Sequence, residues 1–384
     1  MTIYLDNAAT TPLDPRVLKK MLPYFSEKFA NPASIHALGQ DAFITLEGAR
    51  EKVANILNAP IDSIVFTSGA TEANNLIIKG LAEANKNENK KRIIISAIEH
   101  PCVREAAKRL TTLGYTIDYL PANKQGIVTP KALENLMNDD VLLVSVMMVN
   151  NEIGTISDIK KLASVAHRFG AYFHSDAVQA VPYLNIDIKA LKVDFLTLSA
   201  HKFYGPKGVG LAYINPKIKI NALILGGGQE NNIRSGTHNL PGIIGLSEAL
   251  YLAYKERDKY LKKISKLQIY FWEKLKKEIP EILLNGSWEK RVPANLNVLF
   301  RYIEGEAILM DLSQKGICVS TGSACSASDL RASYVLKEIG LDKNYLNSNI
   351  RFSLGRYTTK AELDYTVKAL KETVKRLRAF SPIT

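Results

Sequence analysis

A lysine directly after an apolar strand is the first residue of this sequence whose position suggests chemistry. The segment 194–208 (DFLTLSAHKFYGPKG) places Lys202 beyond the apolar residues 195–198 and before a tight turn. An amine at the rim of a buried strand is partly desolvated, which makes it nucleophilic toward an aldehyde. Lys202 is therefore a candidate for holding a cofactor aldehyde, and the alternative is a surface lysine that happens to follow a strand.

A carboxylate stands at the end of a neighbouring predicted strand. Residues 171–175 form this strand, Asp176 follows it, and Gln179 lies one turn further along. In open parallel sheets, ligands bind outside the carboxyl ends of the strands. A carboxylate at that edge can keep a pyridine nitrogen protonated, which is how proteins use pyridoxal phosphate as an electron sink.

Two more strand ends carry polar groups. Strand 63–67 is followed by 68–75 (SGATEANN), a turn that opens a helix and offers backbone N–H groups of Ala70 and Thr71 to a phosphate. An ordinary helix cap is the alternative. His100 follows strand 92–97, where its ring could lie over a planar cofactor or move a proton, unless it is a structural histidine.

Other segments fit an adjoining site. Asn151 lies in 150–154 (NNEIG), whose amides suit ring substituents or carboxylates. The loop 226–238 carries glycines, a cation and the hydroxyl of Thr237, which suits a phosphate reached from a second subunit, although it could be a plain glycine loop. Arg351 interrupts an apolar strand and needs a carboxylate partner, for which an amino-acid substrate is one candidate.

The three cysteines are an odd set without the paired spacing of a zinc site, so the sequence supports neither a disulfide framework nor a structural metal. Cys325 lies among small residues in 320–328 (STGSACSAS), whereas Cys318 lies between bulky apolar neighbours. Cys325 is therefore expected to be exposed, on a segment that can move, and reactive.

These residues must be positioned by a regular frame. From about residue 62, short apolar runs alternate with helical stretches, as in βαβ units, which predicts an α/β fold with a mostly parallel sheet of about seven strands. A long helical stretch at 241–277 marks a domain change, and the pattern beyond it predicts a smaller α+β domain. We expect a large cofactor-binding domain over 15–255 and a small domain formed by 1–14 plus 256–384.

Composition favours an ordinary soluble protein. The 384 residues are 46% hydrophobic and 23% charged, and no apolar stretch is long enough to cross a bilayer. The first residues lack the features of a secretion signal, so a cytoplasmic location is expected. The net charge of +12 is spread over helices and loops without a basic stripe interleaved with aromatics, which favours anionic ligands or acidic protein partners over nucleic acid.

The ordered set of motifs resembles one family, the pyridoxal-phosphate-dependent cysteine desulfurases of the class V aminotransferase group, NifS/IscS type. The resemblance extends almost from end to end. The matching segments are 5–12 (LDNAATTP), 67–75 (TSGATEANN), 99–100 (EH), 150–155 (NNEIGT), 174–179 (HSDAVQ), 199–202 (SAHK), 234–237 (RSGT) and 322–325 (GSAC).

The resemblance implies a fold-type I transferase, normally a homodimer, with pyridoxal 5'-phosphate as the cofactor. It implies that Lys202 bonds to the cofactor aldehyde and acts as acid and base, that His100 stacks on the ring and moves protons, and that Cys325 takes the sulfur. Asn151 and Arg351 would bind the substrate carboxylate. The implied cofactor contacts are Ala70, Thr71, His100, Asn151, Asp176, Gln179, Ser199, His201, Lys202 and, from the partner subunit, Thr237.

The implied reaction converts L-cysteine to L-alanine and leaves a persulfide on Cys325, whose sulfur passes to iron–sulfur scaffolds, tRNA-thiolation proteins or other acceptors. Cys325 could also ligate a bridging cluster. A selenocysteine lyase of the same family and a non-catalytic iron–sulfur assembly scaffold are the alternatives. A nicotinamide dehydrogenase is disfavoured because no Gly-x-Gly-x-x-Gly opens the first βαβ unit.

Overall fold

The structure, a computed structural model, describes residues 2–86, 88–321 and 332–380. Strands and helices are numbered separately along the chain. The strands are β1 (Ile3–Tyr4), β2 (Ile64–Thr67), β3 (Arg92–Ser96), β4 (Thr116–Leu120), β5 (Val141–Ser145), β6 (Tyr172–Asp176), β7 (Phe195–Ser199), β8 (Gly210–Ile214), β9 (Ile282–Leu284), β10 (Asn295–Phe300), β11 (Ile317–Cys318) and β12 (Asn349–Ser353).

The largest sheet has seven strands in the order β2-β8-β7-β6-β5-β3-β4. Only β8 runs antiparallel to its neighbours, with Leu211 opposite Leu198 of β7 and Phe66 of β2. The predicted α/β class and the mostly parallel seven-stranded sheet are thereby confirmed. Strands β2, β5, β7 and β8 are buried along their whole length, which explains why they appear in the sequence as continuous apolar runs.

Helices cover this sheet and build the rest of the molecule. They are α1 (Pro15–Met21), α2 (Pro23–Ser26), α3 (Ala37–Leu57), α4 (Ala70–Ala84), α5 (Pro101–Arg109), α6 (Pro130–Glu134), α7 (Ile159–Arg168), α8 (Ile188–Leu191), α9 (Leu240–Lys255), α10 (Arg257–Glu278), α11 (Gly305–Gln314), α12 (Tyr334–Glu338) and α13 (Lys360–Ala379). Several begin at a side-chain cap, and α13 has a full capping box formed by Thr359 and Glu362.

Two predicted elements differ from the structure. The single helix expected at 241–277 is two helices, α9 and α10, because the backbone leaves helical geometry at Glu256 (φ −102°, ψ 1°). The apolar run 141–149 predicts one long strand, but β5 ends at Ser145, although the residues after it stay buried. Continued burial keeps this segment apolar, so hydrophobicity does not mark the end of the strand.

Two smaller sheets are formed by strands outside the seven-stranded sheet. Strands β12, β10 and β9 form an antiparallel sheet, and β1 pairs with β11 in parallel. Together with α10, α11 and α13 they enclose a buried core that includes Phe271, Phe300 and Phe352. Because β1 lies in this core, the first residues of the chain pack beside its last third.

The parallel strands β2, β3, β5, β6 and β7 all end at one edge of the large sheet. Residues that follow them, such as Ser68, His100, Asn151 and Lys202, therefore meet at that edge. None of the helices in the described part of the chain is both long and apolar enough to cross a membrane. The described residues also contain no group of three or more His, Cys, Asp or Glu side chains that could hold a metal ion.

Candidate active site

A cavity of about 590 Å³ opens at this edge of the sheet, within the size range of small-molecule sites. It brings together nearly all the residues expected at the cofactor site. Those that line it are Ala70, Thr71, His100, Asn151, Asp176, Gln179, Ser199, His201, Lys202 and Arg351.

Lys202 lies in a short 3₁₀ turn directly after β7. Its Nζ donates hydrogen bonds to the backbone carbonyls of Ala8 (2.6 Å) and Ala9 (2.7 Å). Gln179 donates to the same Ala8 carbonyl at 2.9 Å. Segment 4–11, which we call the N-terminal strap, therefore lies over the edge of the large sheet where the cavity opens. Its carbonyl groups orient the side chains of Lys202 and Gln179.

Asp176 ends β6 and is buried, with only 4% of its surface exposed. Its Oδ1 accepts from the backbone N–H of Val178 (3.0 Å), and its Oδ2 accepts from the side-chain amide of Asn74 (2.8 Å). Asn74 is oriented in turn by Thr197, whose hydroxyl donates to the Asn74 Oδ1 at 2.8 Å. The donors in these two hydrogen bonds, a backbone N–H and a side-chain amide, are both uncharged groups.

His100 caps α5, its Nδ1 accepting the backbone N–H of Cys102 at 3.2 Å. Burial lowers the pKa of His100, and the nearby Lys202 charge lowers it further while the Asp176 charge opposes both. The imidazole is therefore held toward its neutral form at the pocket wall.

The cavity also contains groups that suit an anion. Helix α4 begins here, and the N–H groups of its first turn have no acceptor within the helix. Gly69 precedes it at φ +157°, and a Cβ on the facing Gly210 would come within 2.7 Å of the Gly69 Cα. Ser199 and His201 add a hydroxyl and an imidazole. Burial first, then the Lys202 and Lys207 charges, lower the pKa of His201 to about 4, so its ring is neutral near pH 7.

Arg351 lies on β12, almost fully buried, and reaches the same cavity. Its Nη2 donates to the Asp6 carboxylate at 2.8 Å and its Nη1 donates to the Asn151 carbonyl at 2.9 Å. The carboxylate that the sequence required for this arginine is therefore supplied, at least in part, by the N-terminal strap. The Arg351 Nε is buried without a hydrogen-bond partner among the described residues.

One residue expected at the cofactor site does not line this cavity. Thr237 lines a smaller neighbouring cavity of about 80 Å³ with Ser68 and Arg234. Arg234 there pairs with Glu72 of α4 at 2.8 Å. Cys325, with its segment 322–325, lies outside the described residues.

Several residues that shape the site have no role predicted from the sequence. Asn74 and Cys102 contact Asp176 and His100, and Asp6 holds Arg351. For Asn74 a signal existed, because a polar amide lies among buried positions of an apolar helix. For Asp6 no local signal existed, since its partner is 345 residues away.

Comparisons with known proteins agree with this geometry. The class-V aminotransferase family matches residues 3–366. A cysteine desulfurase IscS of Dictyoglomus turgidum (strain DSM 6724 / Z-1310) is 47% identical over 380 residues, which cover 99% of this chain and 96% of that protein. A solved NifS-like protein superposes with a TM-score of 0.93 at 38% identity, covering 98% of this chain and 100% of that one. A solved structure of SspA in complex with cysteine superposes with a TM-score of 0.83 at 34% identity, covering 93% of this chain and 100% of that one.

The sheet, the lysine at its edge and the buried carboxylate define a pyridoxal-phosphate-dependent transferase, and the chain belongs to the class-V aminotransferase family. Within that family it is one of the cysteine desulfurases. Its cofactor is pyridoxal 5'-phosphate.

The side chains present fit this cofactor. The cavity offers an amine, a buried carboxylate for a protonated ring nitrogen, and a helix N-terminus for a phosphate. These three groups come from β7, β6 and α4, so the frame that places them is rigid secondary structure.

Proposed function

We propose that the chain converts L-cysteine to L-alanine and carries the released sulfur as a persulfide on Cys325. The observation that carries this proposal is the convergence of Lys202, Asp176 and the start of α4 in one cavity, with Arg351 beside them. Membership of the cysteine desulfurases supports the choice of substrate, and the motif 322–325 (GSAC) supports the choice of thiol.

The bond balance of the proposed reaction is simple. The C–S bond of L-cysteine breaks, an S–S bond forms between its sulfur and the Cys325 sulfur, and one proton ends on the carbon that becomes the alanine methyl group. No external oxidant or reductant is needed, because sulfur leaves the substrate formally as S⁰ and the carbon is reduced. When bound, the cofactor supplies the electron sink that lets the substrate lose its α-proton.

In this proposal the chain's own residues bind the substrate and move its protons. Arg351 and Asn151 bind the carboxylate, and the planar guanidinium suits such a group because it can donate two parallel N–H bonds. Lys202 removes and returns protons once its amine is released, and His100 assists from the wall of the pocket. Asp176 and Gln179 orient the cofactor, while Ala70, Thr71, Ser199 and His201 bind its phosphate.

We also propose that the active enzyme is a homodimer in which Thr237 reaches the partner's phosphate. Its position outside the 590 Å³ cavity of its own subunit is compatible with that role. Exposed apolar side chains cluster on and near α3, among them Phe29, Leu38 and Ile44, and such patches mark association surfaces. Iron–sulfur scaffolds or tRNA-thiolation proteins in the cytoplasm are the proposed sulfur acceptors.

One assay tests the reaction. The purified holoenzyme is incubated with L-cysteine, and alanine and protein-bound sulfane sulfur are measured together. We expect one persulfide per alanine in the first turnover. Cys325→Ser should lose the persulfide, and Cys318→Ser is the matched control because Cys318 does not line the cavity. Unchanged sulfane sulfur in Cys325→Ser would reject the proposal, and a parallel run with selenocysteine separates the lyase alternative.

A further inference from the structure

A second thiol lies in the wall of the candidate active site. Cys102 lines the same cavity as Lys202 and His100, and it sits in the first turn of α5. Its Sγ is 3.0 Å from the His100 Nδ1 and accepts a hydrogen bond from the Asn74 amide at 3.1 Å. None of the roles assigned above uses this side chain.

The direction of each hydrogen bond around Cys102 follows from the available donors. The Asn74 Oδ1 accepts the Thr197 hydroxyl, so the two amide hydrogens of Asn74 face Asp176 and Cys102. The Cys102 sulfur is therefore an acceptor on that side. The Thr71 side chain also hydrogen-bonds to the Cys102 sulfur and acts to lower the thiol pKa, as a donor does. The single S–H hydrogen of Cys102 therefore remains available for the neighbouring His100 Nδ1.

The backbone confirms which nitrogen of His100 carries a hydrogen. The Cys102 N–H donates to Nδ1 at 3.2 Å, and a backbone N–H can only donate. Nδ1 must then be unprotonated, which places the hydrogen of the neutral ring on Nε2. No hydrogen bond joins Nε2 to another side chain or carbonyl in the described ranges 2–86, 88–321 and 332–380.

The charge state of the thiol agrees with this arrangement. Burial raises the pKa of Cys102 to about 12, and the Asp176 charge acts in the same direction. Cys102 is therefore an S–H group at neutral pH and a poor nucleophile, which separates it in chemistry from the thiolate required of Cys325. The ionisable groups acting on His100 are Asp176, which favours its protonation, and Lys202, which opposes it.

We propose that Cys102 and Asn74 are positioning residues that hold His100 as its Nε2–H tautomer, so that the imidazole offers the pocket a proton donor and not an acceptor. The tautomer of His100 is a property of the chain itself, whereas the use of that tautomer in turnover rests on the proposed desulfurase function. Because Asn74 also binds Asp176, the same side-chain amide orients two groups of the site. One is the carboxylate of Asp176, the proposed partner of the cofactor's ring nitrogen, and the other, through Cys102, is the imidazole of His100.

The direct test observes the ring nitrogens. Holoenzyme labelled with ¹⁵N-histidine is studied by long-range ¹H–¹⁵N NMR across a pH series, with the His100 signals assigned by their loss in His100→Gln. We expect a neutral Nε2–H pattern at pH 7. The S–H group of Cys102 stabilises the neutral imidazole by donating to its unprotonated Nδ1. Because Cys102→Ala removes this donor, the His100 pKa should rise by about half a unit to one unit.

Two further variants make the outcome decisive. Cys102→Ser keeps a hydroxyl donor and should recover at least half of that pKa shift, whereas Cys318→Ala, on β11 away from the cavity, should cause none. During turnover of L-cysteine, the acid side of the pH profile of kcat should move to higher pH in Cys102→Ala by the same number of pH units as the His100 pKa. KM should change by less than about twofold.

An Nδ1–H or doubly protonated His100 in the wild type at pH 7 would overturn the proposal. So would ring-nitrogen shifts in Cys102→Ala that equal those of Cys318→Ala. Failure of the desulfurase proposal is a separate result, since it would appear as missing alanine in the activity assay while the tautomer remained as stated.

Discussion

Glu99, next to His100 along the chain, is a carboxyl group with no exposed surface. Its Oε1 accepts from the Ser96 hydroxyl (2.7 Å) and the Met147 N–H (2.5 Å), while its Oε2 is without a hydrogen-bond partner among the described residues. Burial, with the Asp176 charge acting in the same direction, raises the pKa of Glu99 from 4.5 to about 8. The residue is therefore protonated at neutral pH.

A pH series on Glu99→Gln tests this protonation. A raised folded-state pKa means that the stability associated with protonated Glu99 is fully present below about pH 4.5, declines as the pH rises, and is lost above about pH 8. The neutral amide avoids this loss, so the thermal midpoint of the variant should fall less than that of the wild type between pH 6 and pH 9. Glu105→Gln, on the exposed side of α5, should follow the wild type. Parallel curves for Glu99→Gln and the wild type would contradict the assignment.

Arg351 is expected to govern substrate affinity through its shape as well as its charge. Arg351→Lys keeps the charge but loses the planar fork that Asp6 and the Asn151 carbonyl now orient. We expect KM for L-cysteine to rise about tenfold to a hundredfold, with a smaller change in kcat, because a hydrogen bond to a charged group contributes about 1.5–3 kcal/mol. Steady-state kinetics beside Arg301→Lys, a surface arginine paired with Glu281, measure the effect. An unchanged KM would remove Arg351 from the substrate site.

Residues at strand ends were predictable because a parallel sheet gathers them at one edge. Lys202, Asp176 and His100 could be placed in one site on that ground alone. Cys102 and Asn74 could not be assigned roles, since their contacts depend on the mutual orientation of α4 and α5. The same holds for Asp6, whose contact with Arg351 joins the two ends of the chain.

At the scale of elements, one buried ion pair fixes the segment 226–238 against the large sheet. Arg50 of α3 donates to both carboxylate oxygens of Glu230 at 2.7 and 2.8 Å, and the Phe66 N–H of β2 also donates to Glu230 at 2.7 Å. Glu230 and the two residues after it all have positive φ, between 47° and 65°. This left-handed backbone costs energy that the buried contacts must offset.

Removing the charge of Glu230 should therefore destabilise the protein. Although burial raises its pKa, hydrogen bonds from Arg50 and His238 outweigh that effect and hold the pKa at about 2. Glu230→Gln removes the buried carboxylate of the Arg50 guanidinium and leaves it only the more exposed Glu47 as an anionic partner, so the unfolding free energy should fall by about 3–5 kcal/mol at pH 7. Denaturant unfolding measures this loss, and Glu47→Gln is the control. Because Glu47 is the more exposed carboxylate partner of Arg50, its replacement should lower the unfolding free energy by less than about 1 kcal/mol.

The pH dependence of this difference has a definite sign. A lowered folded-state pKa means that the stabilisation by Glu230 is present above about pH 4.5 and is lost as the pH falls toward about 2. The gap between the wild type and Glu230→Gln should therefore narrow below about pH 4. A gap that stays constant down to pH 3 would argue against a charged Glu230.

The sequence predicted elements best where their two faces differ. The sequence pattern predicts a helix over about 360–379, and the structure has α13 (Lys360–Ala379) there. Helix α3 was not predicted, and its outer face carries Phe43 and Ile44, which blur the apolar periodicity of its buried face. The division between α9 and α10 was also missed, because it depends on Glu256 meeting Arg16 and Arg356 from distant parts of the chain.

At the scale of the whole molecule, the buried apolar side chains of the described residues form three clusters. Two lie against the large sheet and take alternate residues of its strands, and the third is formed with β10, β12 and α13. We propose on this basis the division into a large domain over 15–255 and a small domain of 1–14 plus 256–384. Limited proteolysis should cut first near residue 256 if the proposed boundary is correct.

The proposed homodimer gives the clearest prediction at this scale. Ile44 on α3 is 67% exposed, and Ile269 on α10 is 51% exposed. Ile44→Asp should place a charge in the proposed interface and weaken association at least tenfold, measured by sedimentation or light scattering over a dilution series. Ile269→Asp, which places the same charge at an exposed position of α10 and not of α3, should keep the mass of the wild type. A monomeric wild type would refute the dimer outright.

The N-terminal strap has a consequence for biosynthesis. Residues 4–11 supply the carbonyls that Lys202 binds, yet β1 pairs with β11 and the Asn7 N–H bonds to Ser353. On the ribosome, residues 4–11 must therefore wait until residues 317–353 have emerged before they can dock. A nascent polypeptide arrested before residue 349 should fold its large sheet without docking the strap, so Lys202 would acquire its final hydrogen bonds only after β12 has been synthesised.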